Sequence, residues 1–403
     1  MTTQPRGAKR SSALQLVLLL GLVSAFGDIT YESARSVTGP YLALLGAGAG
    51  IIGLASGLGE FVGYALRLVA GYVADRTHAY WASTFIGYGL LIAIPLLALA
   101  NRWEVAVLLL ILERVGKAVR SPSRDAILSH ATKEIGRGWG FGLHEALDQV
   151  GAVIGPLILT AALLWKGDYR SGFGMLWIPA VLAMIALAVA KKREPSPASL
   201  ETSAETTTTR PRNNDLGGAF WRYALFTFLS VAGLAGFPLI SYHLVAQNVV
   251  PQSQIALLYA AAMAVDAGAA LLAGKLYDRT GLASLAVVPV LTLVIPFLGF
   301  SAGYALAWVG MILWGIVMAM HEATMRAAVA DLAGFGRRGT AYGIFNTIYG
   351  AAWLVGNTVI GTLYNHSLSG ILAYVALVEI AALLLLALTR NIARPAGPAS
   401  AQR

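Results

Sequence analysis

The chain has 403 residues, of which 57% are hydrophobic and only 12% charged, with a mean hydropathy of +0.68. A soluble domain carries about 25% charged residues, so water is not the main solvent, and the absence of cysteine excludes disulfides, thiolate metal sites and cysteine nucleophiles. The net charge of +9 reads as loop charge drawn to one side of a membrane rather than as a nucleic-acid footprint.

A helix needs about 20 apolar residues to cross the hydrocarbon core. The first 27 residues have the outline of a signal peptide, with Arg6, Lys9 and Arg10 before an apolar run. Equally apolar runs recur to the end of the chain, so this stretch is read as the first of twelve spans. It covers roughly residues 12–38 and contains Asp28, Glu32 and Arg35. At about 100° per residue these three fall within about 60° of one another, one acidic and basic stripe on a helix. The second span, 50–72, carries Glu60 and Arg67, also nearly aligned, and ends in Gly71, Asp75 and Arg76. Spans three and four follow at 81–101 and 103–123. The fourth holds Glu113 and Arg114, and places Arg120 and Arg124 at its end, where long side chains snorkel to the interface. The fifth, 138–165, carries His144, Glu145 and Asp148, then Gly151, Gly155 and Pro156. Small residues at such spacing let helices approach closely, and proline permits a bend.

The sixth span, 171–190, closes a bundle over residues 1–190. Residues 191–217 are rich in Ser, Thr, Pro and charge, and read as a linker. Six further spans at 219–245, 253–274, 283–302, 304–328, 340–364 and 369–389 build a second bundle over 218–390, with 391–403 as a tail. This half is poorer in buried charge: Asp266, His321, Glu322 and Glu379 are the exceptions. Phe237, Tyr242, Tyr342, Phe345, Tyr349 and Trp353 could wall an organic substrate, although lipid-facing aromatics are common.

The two bundles repeat one another. GYVADRT, with Asp75, reappears as GKLYDRT, with Gly274, Asp278 and Arg279; from Asp75 to Asp278 is 203 residues. RGWGFGLHEALDQVGAVIG from Arg137 matches RGTAYGIFNTIYGAAWLVG from Arg338, 201 residues on. Two landmarks at nearly one offset indicate a duplicated six-helix unit. With the N-terminus inside, Lys and Arg crowd the cytoplasmic segments, while the opposite side collects only Arg102, Lys166 and Arg170. The expected protein is therefore a multi-pass inner-membrane protein with both termini cytoplasmic and its halves parallel.

On these residues the chain resembles the major facilitator superfamily over essentially its whole length. The resemblance implies an all-α membrane fold of twelve helices in two parallel six-helix halves. It also implies that Gly71, Asp75 and Arg76, with Gly274, Asp278 and Arg279, latch the ends of the halves. His78 stands where a second glycine is expected, and the basic run is missing from both copies. Arg114 resembles the family's intramembrane arginine, and Gly151, Gly155 and Pro156 resemble its exporter-associated G-x-x-x-G-P motif. In the second half Asn357 replaces that proline.

Charge inside spans costs roughly 2.5–3.5 kcal/mol per group on insertion scales and faces a cavity or a partner. Asp28, Glu32, Glu60, Glu113, Glu145 and Asp148 outnumber Arg35, Arg67 and Arg114, so pairing cannot satisfy them all, although Arg35 and Arg67 have carboxylates nearby. The coupling and substrate cavity is accordingly assigned to these nine with His144, His321 and Glu322. His144 shares a face with Asp148, which permits a proton relay. The expected activity is proton-coupled efflux of small amphipathic or cationic organic compounds by a monomer in a lipid bilayer, driven by the proton gradient with no cofactor. The alternatives are export of a divalent metal ion or its chelate through His144, Glu145, Asp148, His321 and Glu322, or proton-coupled import of a small metabolite. A membrane enzyme is disfavoured by the lack of any catalytic fingerprint, and a receptor or scaffold by the lack of an appended domain.

Overall fold

The computed structural model describes residues 6–135, 137–196, 216–332 and 338–390; most of the expected linker, residues 333–337 and the expected tail lie outside them. The helices are α1 (Arg6–Leu44), α2 (Ala49–Thr77), α3 (Tyr80–Gly89), α4 (Trp103–Ile135), α5 (Arg137–Lys166), α6 (Tyr169–Met175) and α7 (Trp177–Arg193). They continue as α8 (Gly218–Ala232), α9 (Phe237–Ala246), α10 (Ile255–Thr280), α11 (Val287–Gly299), α12 (Tyr304–Leu332), α13 (Arg338–Tyr364) and α14 (Leu368–Arg390). The fold is that of an all-α membrane protein, as only helices can satisfy their own backbone polar groups in lipid without closing into a barrel.

Among the described residues, nine helical stretches are long and apolar enough to cross a membrane. One of them, Gln252–Gly299, spans 48 residues, about twice what a single pass needs. It is broken at Gly281, whose φ of +59° suits glycine. The more polar α4 and α13 supply the remaining two passes, so the segments are consistent with twelve. Three spans depart from a straight rod. After α3 the chain tightens into 3-10 turns over Leu90–Ala93 and Pro95–Leu99, since Pro95 cannot continue an α-helical ladder. The sixth pass jogs at Leu176 between α6 and α7. The seventh breaks between α8 and α9, where Gly233, Gly236 and Pro238 cluster.

The backbone groups released by that break are taken up by neighbouring helices. Asn357 Oδ1 accepts from Gly236 N at 2.8 Å, Trp314 Nε1 donates to the Ala235 carbonyl at 3.0 Å, and Tyr374 donates to the Ala232 carbonyl at 3.2 Å. The residue that replaces the proline of the first half thus caps a helix, α9, that has no broken counterpart in the continuous α1.

The two halves meet closely on the face away from the chain termini. There α1 lies so near α9 that a Cβ on Gly39 would collide with the Pro238 carbonyl, and α2 lies equally near α13 where Gly53 faces Gly361 and the Asn357 carbonyl. On the face that holds the described ends Arg6 and Arg390, a cleft parts α5 from α10 along Gly142–Ile154 and Ala264–Leu271.

A central cavity of opposite charges

Between the halves lies a polar cavity of about 160 Å³. Eight carboxylates line it: Asp28, Glu32, Glu60, Asp125, Glu145, Asp148, Asp266 and Glu322. Seven bases face them: Arg35, Arg67, Arg114, Lys117, Arg120, Arg124 and Arg326. The stripe of α1 is brought there by the packing of α5, whose Gly151 and Gly155 bring its backbone against Ala25 and Ile29 on either side of Asp28. In the second half Gly356 faces Ala232 in the same way.

Part of this charge neutralises itself. Glu60 pairs with Arg35 at 3.2 Å and Arg114 at 3.0 Å; Arg35 also reaches Glu32 at 3.7 Å; Glu113 pairs with Arg120 at 3.1 Å and Arg114 at 3.8 Å. Tyr31 backs these pairs: its hydroxyl accepts from Arg35 at 2.8 Å, while Lys117 Nζ sits 3.9 Å from its ring centroid, an arrangement that favours a cation. Arg124 pairs with Asp125 at 2.9 Å and donates to Ser24 at 2.6 Å.

The other acidic groups of the lining are unpaired. Asp28, Glu145, Asp148, Asp266 and Glu322 have no ion pair among the described residues, against three unpaired bases, Arg67, Lys117 and Arg326. Asp266 is 4% exposed, and Asp148 Oδ1 is buried without a hydrogen bond. These carboxylates come from both halves: Asp28 from α1, Glu145 and Asp148 from α5, Asp266 from α10 and Glu322 from α12. Tyr259 on α10 donates to Glu32 Oε2 across the divide at 2.6 Å.

Nine of the twelve expected cavity residues line this space, and Glu113 lines an adjoining recess with Arg35, Arg114 and Trp353. The histidines do not. His144 is 3% exposed and its Nε2 lies 3.1 Å from Ser24 Oγ, while His321, 1% exposed, pairs through Nδ1 with the Tyr349 hydroxyl at 3.2 Å. Neither histidine is held against a carboxylate, and no group of three His, Asp or Glu side chains that could hold a metal ion occurs among the described residues.

Three further expectations are corrected. Arg120, 3% exposed, and Arg124 turn inward instead of snorkelling, because α4 continues to Ile135 and keeps both within the bundle. Arg67 pairs with no carboxylate; its guanidinium lies 4.7 Å from the Tyr64 ring centroid and its Nε is unsatisfied. The acid surplus of six over three shrinks to eight over seven in the lining, and persists as five over three only among unpaired groups. Sequence reasoning passed over Lys117, Arg326 and Asp266 as site residues. Asp266 carried a signal, a lone carboxylate in an alanine-rich span.

Of the turn residues, Asp75 accepts from the Tyr80 hydroxyl at 3.1 Å and Arg76 donates to Tyr72 at 2.6 Å, contacts confined to the first half. Gly71 lies against Pro122 of α4. Asp278 and Arg279 are exposed at the end of α10. No latch between halves is formed among the described residues.

A duplicated helical bundle around a charged cavity, closed on one face and parted on the other, defines a polytopic membrane transporter rather than an enzyme. The profile of the Major Facilitator Superfamily matches residues 17–357 and 224–401, and the chain belongs to that family. It is 41% identical over 379 residues to an uncharacterized protein of Mycobacterium tuberculosis, covering 93% of each chain. It is 29% identical over 367 residues to an uncharacterized MFS-type transporter of Methanocaldococcus jannaschii, covering 87% of this chain and 89% of the relative. Among solved structures it shares the fold of a POT family transporter in complex with 5-aminolevulinic acid, with a TM-score of 0.76, 14% identity, and 94% and 96% of the two chains covered.

Proposed function

We propose that this transporter is a proton-coupled exporter of small cationic or amphipathic organic compounds, working as a monomer by alternating access. The observation that carries this reading is the set of five unpaired carboxylates, contributed by both halves, that line the cavity. A carboxylate in such a site binds either a proton or an organic cation, and the two compete. Loading from one side of the membrane then drives release to the other as the halves rock about the site. The paired cluster around Glu60 needs no cargo to satisfy it and serves to hold α1, α2 and α4 in register.

The excess of Lys and Arg in the segments on the termini side supports a cytoplasmic assignment for that face. The parted face is then the cytoplasmic one, and the linker at 191–217 and the halves 1–190 and 218–390 keep their sequence assignments. Export is favoured by the Gly151, Gly155 and Pro156 motif.

The test is flux in inside-out vesicles or proteoliposomes with tetraphenylphosphonium as the organic cation. An imposed pH gradient, acid inside, should drive its uptake, and Asp28→Asn, Glu145→Gln and Asp266→Asn should each reduce uptake at least tenfold. Gradient-driven uptake that survives all three substitutions would rule out the unpaired carboxylates as the coupling site.

A further inference from the structure

Past the unpaired Glu145, Asp266 and Glu322 the cavity continues sideways into a second space. A cleft of about 890 Å³ runs between α5 on one side and α10 and α12 on the other. Glu145, Asp266, Glu322 and Arg326 belong to both spaces and so stand at the threshold. Beyond them the cleft is apolar, and its alanines, Ala146, Ala264, Ala267, Ala270 and Ala323, leave the room that larger side chains would fill. Its outer edge is formed by Val150, Ile154 and Leu271, which are 51%, 40% and 73% exposed. Apolar side chains so exposed within spans face lipid rather than water. The cleft thus opens into the bilayer. Along α5 it extends from Gly142 to Ile154, about 18 Å of helix, close to the depth of one leaflet's half of a ~30 Å hydrocarbon core. The matching seam between α2 and α13 is shut, because Gly343 abuts Leu68 and Gly350 abuts Phe61.

We infer that the α5–α10 cleft is a lateral binding site for the alkyl chain of a single-chain cationic amphiphile, taken directly from the leaflet on the termini side. The chain lies among the alanines while the cationic head meets Glu145, Asp266 and Glu322. Charge complementarity sets the occupant: three carboxylates and one arginine meet the head, and Asp266 is buried with no ion pair among the described residues. This deepens the cation-export reading and rests on it for the direction of movement, not for binding.

The experiment uses the full chain in lipid nanodiscs and a dodecyltrimethylammonium probe with a diazirine at the end of its tail. After photolysis, adducts should map to peptides covering 142–154 and 264–271, and should fall at least fivefold in Asp266→Asn/Glu322→Gln. A second arm uses a phosphatidylcholine bearing the same diazirine, which should label the cleft at least fivefold less. Labelling spread evenly over lipid-facing helices, labelling unchanged by the double substitution, or equal labelling by the phosphatidylcholine would each overturn the proposal. Flux is measured on the same preparation. Gradient-driven tetraphenylphosphonium uptake without cleft adducts removes the lateral site and leaves the export reading standing. Cleft adducts that obey the charge dependence without any flux uphold the site and remove the export reading.

Discussion

The hydroxyl of Tyr259 on α10 donates to Glu32 Oε2 on α1 at 2.6 Å, joining the acidic stripe of the first half directly to the second. The bond lies on the closed side of the cavity, and both partners are at most 6% exposed. A hydrogen bond to a charged acceptor contributes about 1.5–3 kcal/mol. Tyr259→Phe should therefore shift the equilibrium toward the state open on the far face. The chain has no cysteine, so spin labels can be placed without background at the exposed far-face positions Leu44 and Gln247. Double electron–electron resonance should show a longer-distance population in Tyr259→Phe that is minor in the parent. An unchanged distance distribution would show that the bond does not hold the face shut.

Glu60 is the shared anion for Arg35 and Arg114, and its side chain is 10% exposed. Removing one partner of a buried ion pair leaves charge uncompensated and costs about 3–5 kcal/mol. Glu60→Gln should lower thermal stability in detergent by several degrees, and more than Glu145→Gln, whose carboxylate has no ion pair to lose. Equal melting temperatures for the two variants would contradict the division into paired and unpaired carboxylates.

Asn357 bridges the break of the seventh pass, accepting from Gly236 N and donating to the Trp353 carbonyl at 3.0 Å. It is fully buried, so Asn357→Ala strands a backbone N–H away from water, at about 1–3 kcal/mol. Amide hydrogen exchange in the first turn of α9 should quicken accordingly. Exchange there at the parent rate would mean that Trp314 and Tyr374 suffice to hold the break.

At the far-face loop, Asp168 caps α6 by accepting from Ser171 N at 2.8 Å. The backbone hydrogen bond from Ser171 holds its carboxyl below the usual aspartate value of 3.8. A depressed folded pKa means the capping contribution is present above the unfolded value and is lost as pH falls through the folded one. Asp168→Ala should therefore speed exchange at Ser171 at neutral pH, by an amount matching a cap worth about 0.5–1 kcal/mol. At a pH below the folded value the parent should approach the variant. An effect of equal size at both pH values would exclude the ionised cap.

The sequence by itself determined the class of molecule: spans of fixed length, a basic side and two turns in register leave few arrangements, because the bilayer forces every backbone group into helices. It also determined the stripe of Asp28, Glu32 and Arg35, since helical periodicity alone aligns residues four and three apart. Tertiary structure decided which charges are spent on one another. Glu60 turns to Arg35 and Arg114 rather than to Arg67 on its own helix, and Arg120 and Arg124 turn inward, because pairing follows which helix faces meet, a relation absent from spacing. Asp266 and Glu322 join the carboxylates of α5 only because the duplicated halves face each other across the cavity. The lateral cleft likewise exists only because α5 and α10 part on one face while α2 and α13 stay closed.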